Sequence, residues 1–464
     1  MSDVLDVKTF QDLEQAKAAG KLESFIFDAI NVHKLSPAYN VAVDAEEYAR
    51  QRNVTIMKYQ KVLYTLSGKA VPDNYSANYK LCSNFFNRFV AQENQYLLGN
   101  GVYFSKESSK AKMGKDLDYK IQQLGRNALV QGVSFGFWNF DHIEVFKLTE
   151  FVPLYDEENS ALKAGIRFWQ VSRDKPLRAT LYEIDGYTDY IKYSGEEIRV
   201  LNQKRNYIQR RSVSVADGEK IYNFSNYPSF PIVPLWGNPN KQSELVGLRE
   251  SIDCYDLIRS GFANDLDDAS MIYWTLQNAG GMDDVSLAQF VERMKTVKAA
   301  VVDGDSGAKA EAHTLEVPYQ SRMAYLERLE HDMYRDAQIL NIDSLSASAK
   351  TATEITAAYQ PMDNKVDQYE YCVLEFLNGI FSLAGIDDVV SFKRSKITNQ
   401  LEETQMVLMA AQYLDDEAIL SKLPWLTPEE AREIIDRNGG RTMERFGLGS
   451  RQDYGDEGEP QEGN

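Results

Sequence analysis

The chain has 464 residues, 43% of them hydrophobic and 11% aromatic, with 51 Lys and Arg against 69 Asp and Glu and a formal net charge of −18. Such a length accommodates roughly two to four domains or lobes, and the apolar content supplies a core, so wholesale disorder is excluded. The acidic balance excludes a protein that grips nucleic acid over a broad basic face, because that binding rests on Lys and Arg neutralising phosphates, but not one past which DNA must slide without sticking.

Cys82, Cys254 and Cys372 lie far apart with no CxxC spacing, which fits ordinary buried thiols in a reducing compartment and neither a disulfide scaffold nor a zinc site. The N-terminus "MSDVLDVKTF" has no basic region followed by an apolar one, and no apolar run approaches a membrane span, so a soluble protein made in the cytoplasm, with no membrane partner, is expected.

Residues 7–51 read as charged helices, with Ser36 as an N-cap and Pro37 at the first helical position. Residues 75–98 carry Leu81, Phe85, Phe89 and Tyr96 at helical spacing, Gly99 is a stop, and "GVYFS" is a short strand. Another helix is predicted over 116–134. Aromatic and β-branched segments from 136 to 194 then predict a strand meander, continued after a polar interval by "FPIVPLWG" at 230–237.

Over 243–272 a three-four spacing of Leu245, Leu248, Ile252, Tyr255, Ile258, Phe262 and Leu266 predicts a long amphipathic helix. Asp265, Asp267 and Asp268 crowd its end, without the partners a metal site needs, and read as a solvated face. Residues 285–317 predict a compact insert: a helix around "SLAQFVERM", then "KAAVVD" and "AEAHTLEV" as a hairpin through "GDSGAK". Asp303, Asp305 and Gly307 mimic a calcium loop but lack its sixth-position glycine and twelfth-position acid. A second amphipathic helix carries Met323, Leu326, Met333, Ala337 and Leu340 on one stripe.

The stretch "SASAKT" at 346–351 ends like a phosphate-binding loop, yet Ser344 and Ala349 stand where the obligatory glycines belong and no strand precedes it. Thr351 and Glu354 are spaced as a capping box, so a new helix begins at about Ala352 and 341–350 is a short polar loop. Pro361 is expected to kink or break that helix, which runs on to about Gly385. A strand at 390–394 and helices at 397–413 and 427–438 follow, and the last fifteen residues read as a disordered acidic tail.

Four stretches in this order resemble the portal (head–tail connector) proteins of tailed bacteriophages with long non-contractile tails. They are "NFFNRFVAQENQYLLGNGVYF" at 84–104, "FPIVPLWGNPNKQSELVGLRESIDCYDLIRSGFANDLDD" at 230–268, "TATEI" at 351–355, and "VSFKRSKITNQLEE" to "LSKLPWLTPEEAREII" at 390–435. The resemblance implies an α+β portal-like fold. Residues 1–242 would be a wing of helices plus β meander, 243–274 and 319–340 two stem helices, 275–318 a small α/β clip, and 341–350 a tunnel loop. Residues 351–394 would be the wing's long kinked helix and strand, 395–445 a helical crown, and 446–464 the tail.

It further implies a homo-oligomeric ring, usually dodecameric, at one capsid vertex, with double-stranded DNA passing through it during packaging and ejection. Terminase, the major capsid or scaffolding protein and a head–tail adaptor would be partners, in the virion and, during assembly, in the host cytoplasm. Asn341, Asp343, Ser344, Ser346, Ser348 and Lys350 would face DNA; Leu248, Ile252, Tyr255, Phe262, Met323, Leu326 and Met333 would pack subunits in the stem.

No cofactor, metal or catalytic constellation is expected: His33, His142, His313 and His331 are scattered and read as surface or hydrogen-bonded structural groups, and no G-x-S-x-G or G-x-G-x-x-G motif occurs. Two alternatives stay open. One is a virion-associated minor structural or scaffolding protein without a channel; the other is a nucleic-acid or nucleotide enzyme.

Overall fold

The computed structural model describes residues 7–64, 68–73, 78–213, 220–269, 273–277, 309–313, 319–342, 352–396, 400–423, 426 and 434. The fold is mixed α and β. Two compact units can be separated, one formed by residues up to Ile339 together with Pro361–Arg394, the other by Leu340–Gln360 together with Ser395 onward.

The first unit opens with α1 (Phe10–Ala18), α2 (Leu22–Leu35), α3 (Pro37–Ala49) and α4 (Val54–Lys58). Ser36 caps α3 as its sequence predicts, its Oγ accepting the Tyr39 N–H at 3.3 Å with Pro37 at the first position. A small hairpin, β1 (Val62–Tyr64) and β2 (Ala70–Pro72), precedes α5 (Phe85–Leu98). The predicted helix over 75–98 therefore starts ten residues late, at Phe85. The reason lies in Tyr79, Leu81 and Ser83, whose N–H groups bond to side chains of a later helix instead of to carbonyls of their own turn.

Next come β3 (Val102–Phe104), α6 (Glu107–Lys112) and α7 (Leu117–Gln131). α5 and α7 approach closely at Gly125: a Cβ there would stand 1.9 Å from the Tyr369 hydroxyl and 2.6 Å from Asn94 Oδ1. The strands that follow are β4 (Val133–Asn139), β5 (His142–Lys147), β6 (Phe151–Tyr155), β7 (Leu162–Trp169), β8 (Leu177–Glu183), β9 (Gly186–Lys192), β10 (Arg199–Arg205), β11 (Ile208–Val213), β12 (Lys220–Ser225) and β13 (Ile232–Trp236).

The meander is thus real but divided. β6 to β10 form one antiparallel five-stranded sheet in sequential order, whereas β13 returns to pair with β4 in a separate three-stranded sheet β13-β4-β5. The polar interval before β13 holds β10, β11 and β12. Leu13, Phe25, Ile26 and Ile30 of the first two helices close one face of the five-stranded sheet over Val152, Leu154, Ile166 and Leu181. Phe135, Phe137, Phe146 and Phe151 fill a second core with Tyr182 and Ile232.

The predicted helix over 243–272 is α8, Arg249–Ala269. Leu245 and Leu248 fall in a turn before it, because Gly247 takes φ +90, a left-handed conformation that no helix contains. After α8, β14 (Tyr273–Gln277) pairs with β15 (Lys309–His313). The first four residues of "AEAHTLEV" lie in β15, and Tyr273–Gln277, which the sequence pattern did not mark, pairs with that strand; "SLAQFVERM", "KAAVVD" and "GDSGA" lie outside the described residues, and with them the predicted hairpin. α9 is Tyr319–Asp336 and ends earlier than predicted: Gln338 has φ +56, and the Ile339 N–H turns back to the Tyr334 carbonyl at 3.1 Å.

The long helix α10 spans Ala352–Ala384, 33 residues, and Pro361 does not break it. Its start at Ala352 agrees with the capping-box reading, while Thr351 itself lies outside the described residues. Met362, Val366, Tyr369, Val373, Phe376 and Ile380 are buried at three-four spacing. Phe376 presses on Gly136 of β4, where a Cβ would come within 2.5 Å of the ring. Gly385 ends the helix at φ +64, and β16 (Val390–Phe392) pairs with β3.

In the second unit, α11 is Gln400–Ala410 and α12 is Asp416–Ser421, the latter between the two helices predicted at 397–413 and 427–438. Leu420 and Leu423 pack with Val407, Leu426 and Ile434. The predicted helix at 427–438 and the acidic tail lie outside the described residues, Ile434 apart.

Candidate functional site: the paired helices and their anchorage

α8 and α9 pack against each other as the amphipathic pattern of both requires. At one end four rings lock them to α5. Phe85 meets Tyr255 edge-on at 5.0 Å, Phe89 meets Tyr334 at 5.0 Å, and the two phenylalanines lie 5.9 Å apart. Toward the other end Arg322 of α9 pairs with Asp265 of α8, and its guanidinium lies over the Phe262 ring at 5.9 Å. Asp265, expected to be merely solvated, therefore ties the two helices together.

A second tether runs along the opposite flank of α8. Asp256 Oδ1 accepts the Ser83 N–H at 2.8 Å, Ser260 Oγ accepts the Leu81 N–H at 3.0 Å, and Asn264 Oδ1 accepts the Tyr79 N–H at 2.7 Å. The match is geometric. Four helical residues advance about 6 Å and two extended residues about 6.6 Å, so acceptors at i, i+4 and i+8 meet alternate N–H groups of an extended chain. Asp256 Oδ2 also accepts from the Asn53 amide at 2.9 Å, and burial pushes its carboxyl up from the usual range while these bonds pull it back. One turn earlier Asp253 accepts from Tyr48 and from Thr55 Oγ1, the latter at 2.7 Å.

The third anchor is ionic. Lys365 of the long helix donates to Glu93 Oε2 at 2.8 Å, to Glu244 Oε2 at 2.6 Å and to the Ala337 carbonyl at 3.1 Å. Burial and the neighbouring Glu244 charge raise the Glu93 carboxyl to about 7, against the pull of Lys365. Nearby, Arg394 binds Asp363 at 3.0 Å, Glu370 at 2.9 Å and Asp367, three carboxylates of the long helix.

Of the residues assigned to stem packing, Leu248, Ile252, Leu326 and Met333 are already buried within the chain, Tyr255 and Phe262 are half-buried, and Met323 stays 46% exposed. Leu257 and Leu266 of α8 and Tyr325 of α9 are exposed as well. Asn341 is described; Asp343, Ser344, Ser346, Ser348 and Lys350 lie outside the described residues. Among the histidines, His33 is buried with Nε2 2.8 Å from the Leu148 carbonyl oxygen, and His142 and His331 are exposed beside Asp141 and Asp332. Cys372 is buried, but Cys82 and Cys254 are only partly covered, and all three are free thiols.

Sequence reasoning missed Glu93, Glu244, Lys365 and the acceptors of α8. One signal was present: Glu93 interrupts the apolar stripe Phe86, Phe89, Val90, Leu97 of α5, and a carboxylate on a buried face needs a partner.

The sequence model of the phage portal proteins, SPP1 Gp6-like, matches residues 41–441, a span that contains α8, α9, all three anchors and the long helix. The chain belongs to that family. It is 22% identical over 390 residues to the portal protein of Clostridium phage phiCD119, covering 78% of this chain and 84% of that one. It is 21% identical over 428 residues to the portal protein of Bacillus phage SPP1, covering 84% and 82%. Portal proteins are structural components of the phage particle. Among the described residues no helix is long and apolar enough to cross a membrane.

Proposed function

We propose that this chain assembles into a dodecameric ring at one capsid vertex, and that double-stranded DNA is packaged and ejected through its central channel. The observation that carries the reading is the family match, whose span of residues 41–441 takes in the α8–α9 pair and the long helix. In this reading residues 1–242 are the wing, α8 and α9 within 243–274 and 319–340 the stem, 275–318 the clip, 341–350 the tunnel loop, 351–394 the wing's long helix and strand, and 395–445 the crown. Terminase docks during packaging and a head–tail adaptor afterwards; assembly takes place in the host cytoplasm with capsid or scaffolding protein.

The net charge of −18 suits a wall along which DNA must move, since few phosphate counterions are released. Lys350 is the only cation in 341–350, with Ser344, Ser346 and Ser348 as small hydroxyl donors. Each exposed charge contact is worth about 1 kcal/mol in water, weak enough to form and release as DNA advances. Lys350→Ala should leave assembly intact and impair packaging or retention of DNA in particles. Normal packaging by that variant removes the functional support for the loop assignment.

A further inference from the structure

A cavity of about 250 Å³ in the first unit takes its walls from α2, α3, β4, β6 and β13. Ala29, Val133, Leu148, Val152 and Pro153 form its buried apolar side. Most polar groups of the lining are already engaged. His33 Nε2 lies 2.8 Å from the Leu148 carbonyl oxygen, and burial holds the imidazole below its usual range, so it stays neutral. Gln131 donates to Glu46 Oε1 at 2.6 Å and accepts the Thr149 N–H at 3.4 Å. Tyr155 differs: its hydroxyl is buried and has no hydrogen-bond partner among the described residues.

The solvent side of the cavity is cationic, bordered by Lys8 and by the exposed Lys241. Lys8 is offset by Asp28 at 2.9 Å, and Glu46, bonded to Gln131, is offset by Lys147 at 2.7 Å. Lys241 pairs with no carboxylate among the described residues; its Nζ lies 4.8 Å over the ring of Trp236, another wall residue. Its backbone sits at φ +56, a left-handed conformation that glycine takes at lower cost, yet the position carries a long cation.

We propose that this cavity binds a small amphiphile of one negative charge, a medium-chain carboxylate, with its hydrocarbon body on the apolar side and its two oxygens held by Lys241 and the Tyr155 hydroxyl. Size favours such a chain: an apolar cavity of about 150 Å³ holds one benzene ring, so this one takes a chain of about eight carbons. Charge favours it too. Lys8 and Asp28 cancel, which leaves the single charge of Lys241 to match a monoanion and leaves a phosphate dianion short of partners. The occupant touches strands of both larger sheets and so stabilises the unit when bound.

The test is calorimetric titration of the full-length protein with octanoate, 1-octanol and acetate, each below the concentration at which it forms micelles. Octanoate should bind once per chain with a Kd of about 1 mM or tighter and raise the melting temperature. Octanol, the body without the charge, should bind several-fold more weakly, and acetate, the charge without the body, should give no heat of binding. Lys241→Ala should weaken octanoate to the level of octanol. Tyr155→Phe should weaken octanoate without lowering the melting temperature of the unliganded protein, which separates a ligand contact from a structural one. Ala38→Trp, at an exposed position of the lining, should block octanoate while the protein still folds. Equal binding of octanoate and octanol, an octanoate affinity unmoved in any of the three variants, or the lack of saturable binding overturns the proposal. Since no DNA or ring enters the readout, that failure leaves the portal reading standing.

Discussion

Asn264 Oδ1 accepts the backbone N–H of Tyr79 at 2.7 Å, and that bond is the last rung of a ladder that lays an extended strip of chain along α8. The rungs belong to the helix's polar flank, while its apolar flank faces α9 and α5. One helix is therefore fixed on two sides by different physics: hydrogen bonds that set axial register, and ring packing that supplies burial.

Asp256 is the rung that carries most, since it is fully buried and accepts from both Ser83 and Asn53. Asp256→Ala should lower stability by about 3 kcal/mol, because two donors lose their acceptor inside the protein. Asp256→Asn retains one acceptor oxygen and should cost less than half as much. Denaturant unfolding of the two variants measures the difference; equal losses would mean the carboxylate acts by charge alone.

Gly125→Ala should destabilise by about 2–4 kcal/mol, since the new methyl meets the Tyr369 hydroxyl and Asn94 where no space exists. Adding Tyr369→Phe removes the nearer obstacle, and the double variant should recover part of the loss in a thermal melt. Additive losses would show that the close approach is not what the glycine serves.

How much of this was legible in the sequence depended on range. Local signals held: the Ser36–Pro37 start, the strand at Val102–Phe104, the end at Gly385, and a helix beginning at Ala352. Errors came where distant partners decide. Residues 79–83 have helical spacing, but α8 takes their N–H groups. The stretch "RVLNQKR" looks like a polar loop, yet β9 gives it a partner and makes it the mostly exposed edge strand β10. Lys365 and Glu244 are ordinary surface-type residues until the fold brings them to Glu93, so only Glu93's place on an apolar stripe hinted at the node.

The Glu93 carboxyl gives the protein a stability that falls as pH rises. In the unfolded chain it titrates near 4.5, in the folded one at about 7, so the folded state holds an extra proton between those values. Its contribution is complete below pH 4.5 and is lost as pH rises through 7, an effect of up to about 3 kcal/mol. Melting curves of wild type should show this loss and those of Glu93→Gln should not. A wild-type curve that gains stability over the same window at position 93's expense would reverse the sign.

Met323 and Leu326 separate packing between subunits from packing within one. Leu326 is buried in the single chain, so Leu326→Asp should cost several kcal/mol and prevent folding. Met323 is 46% exposed, so Met323→Asp should leave monomer stability within about 0.5 kcal/mol while abolishing rings. Sedimentation distinguishes the two, and Met323→Asp assembling normally would remove that residue from the subunit contact.

The most direct measurement is electron microscopy of the purified protein. Closed rings with a central hole, lined by the α8–α9 pairs, are predicted for wild type. Monomers, filaments or discs without a hole, under conditions where the protein is folded, would contradict a channel and favour a minor structural protein of the particle.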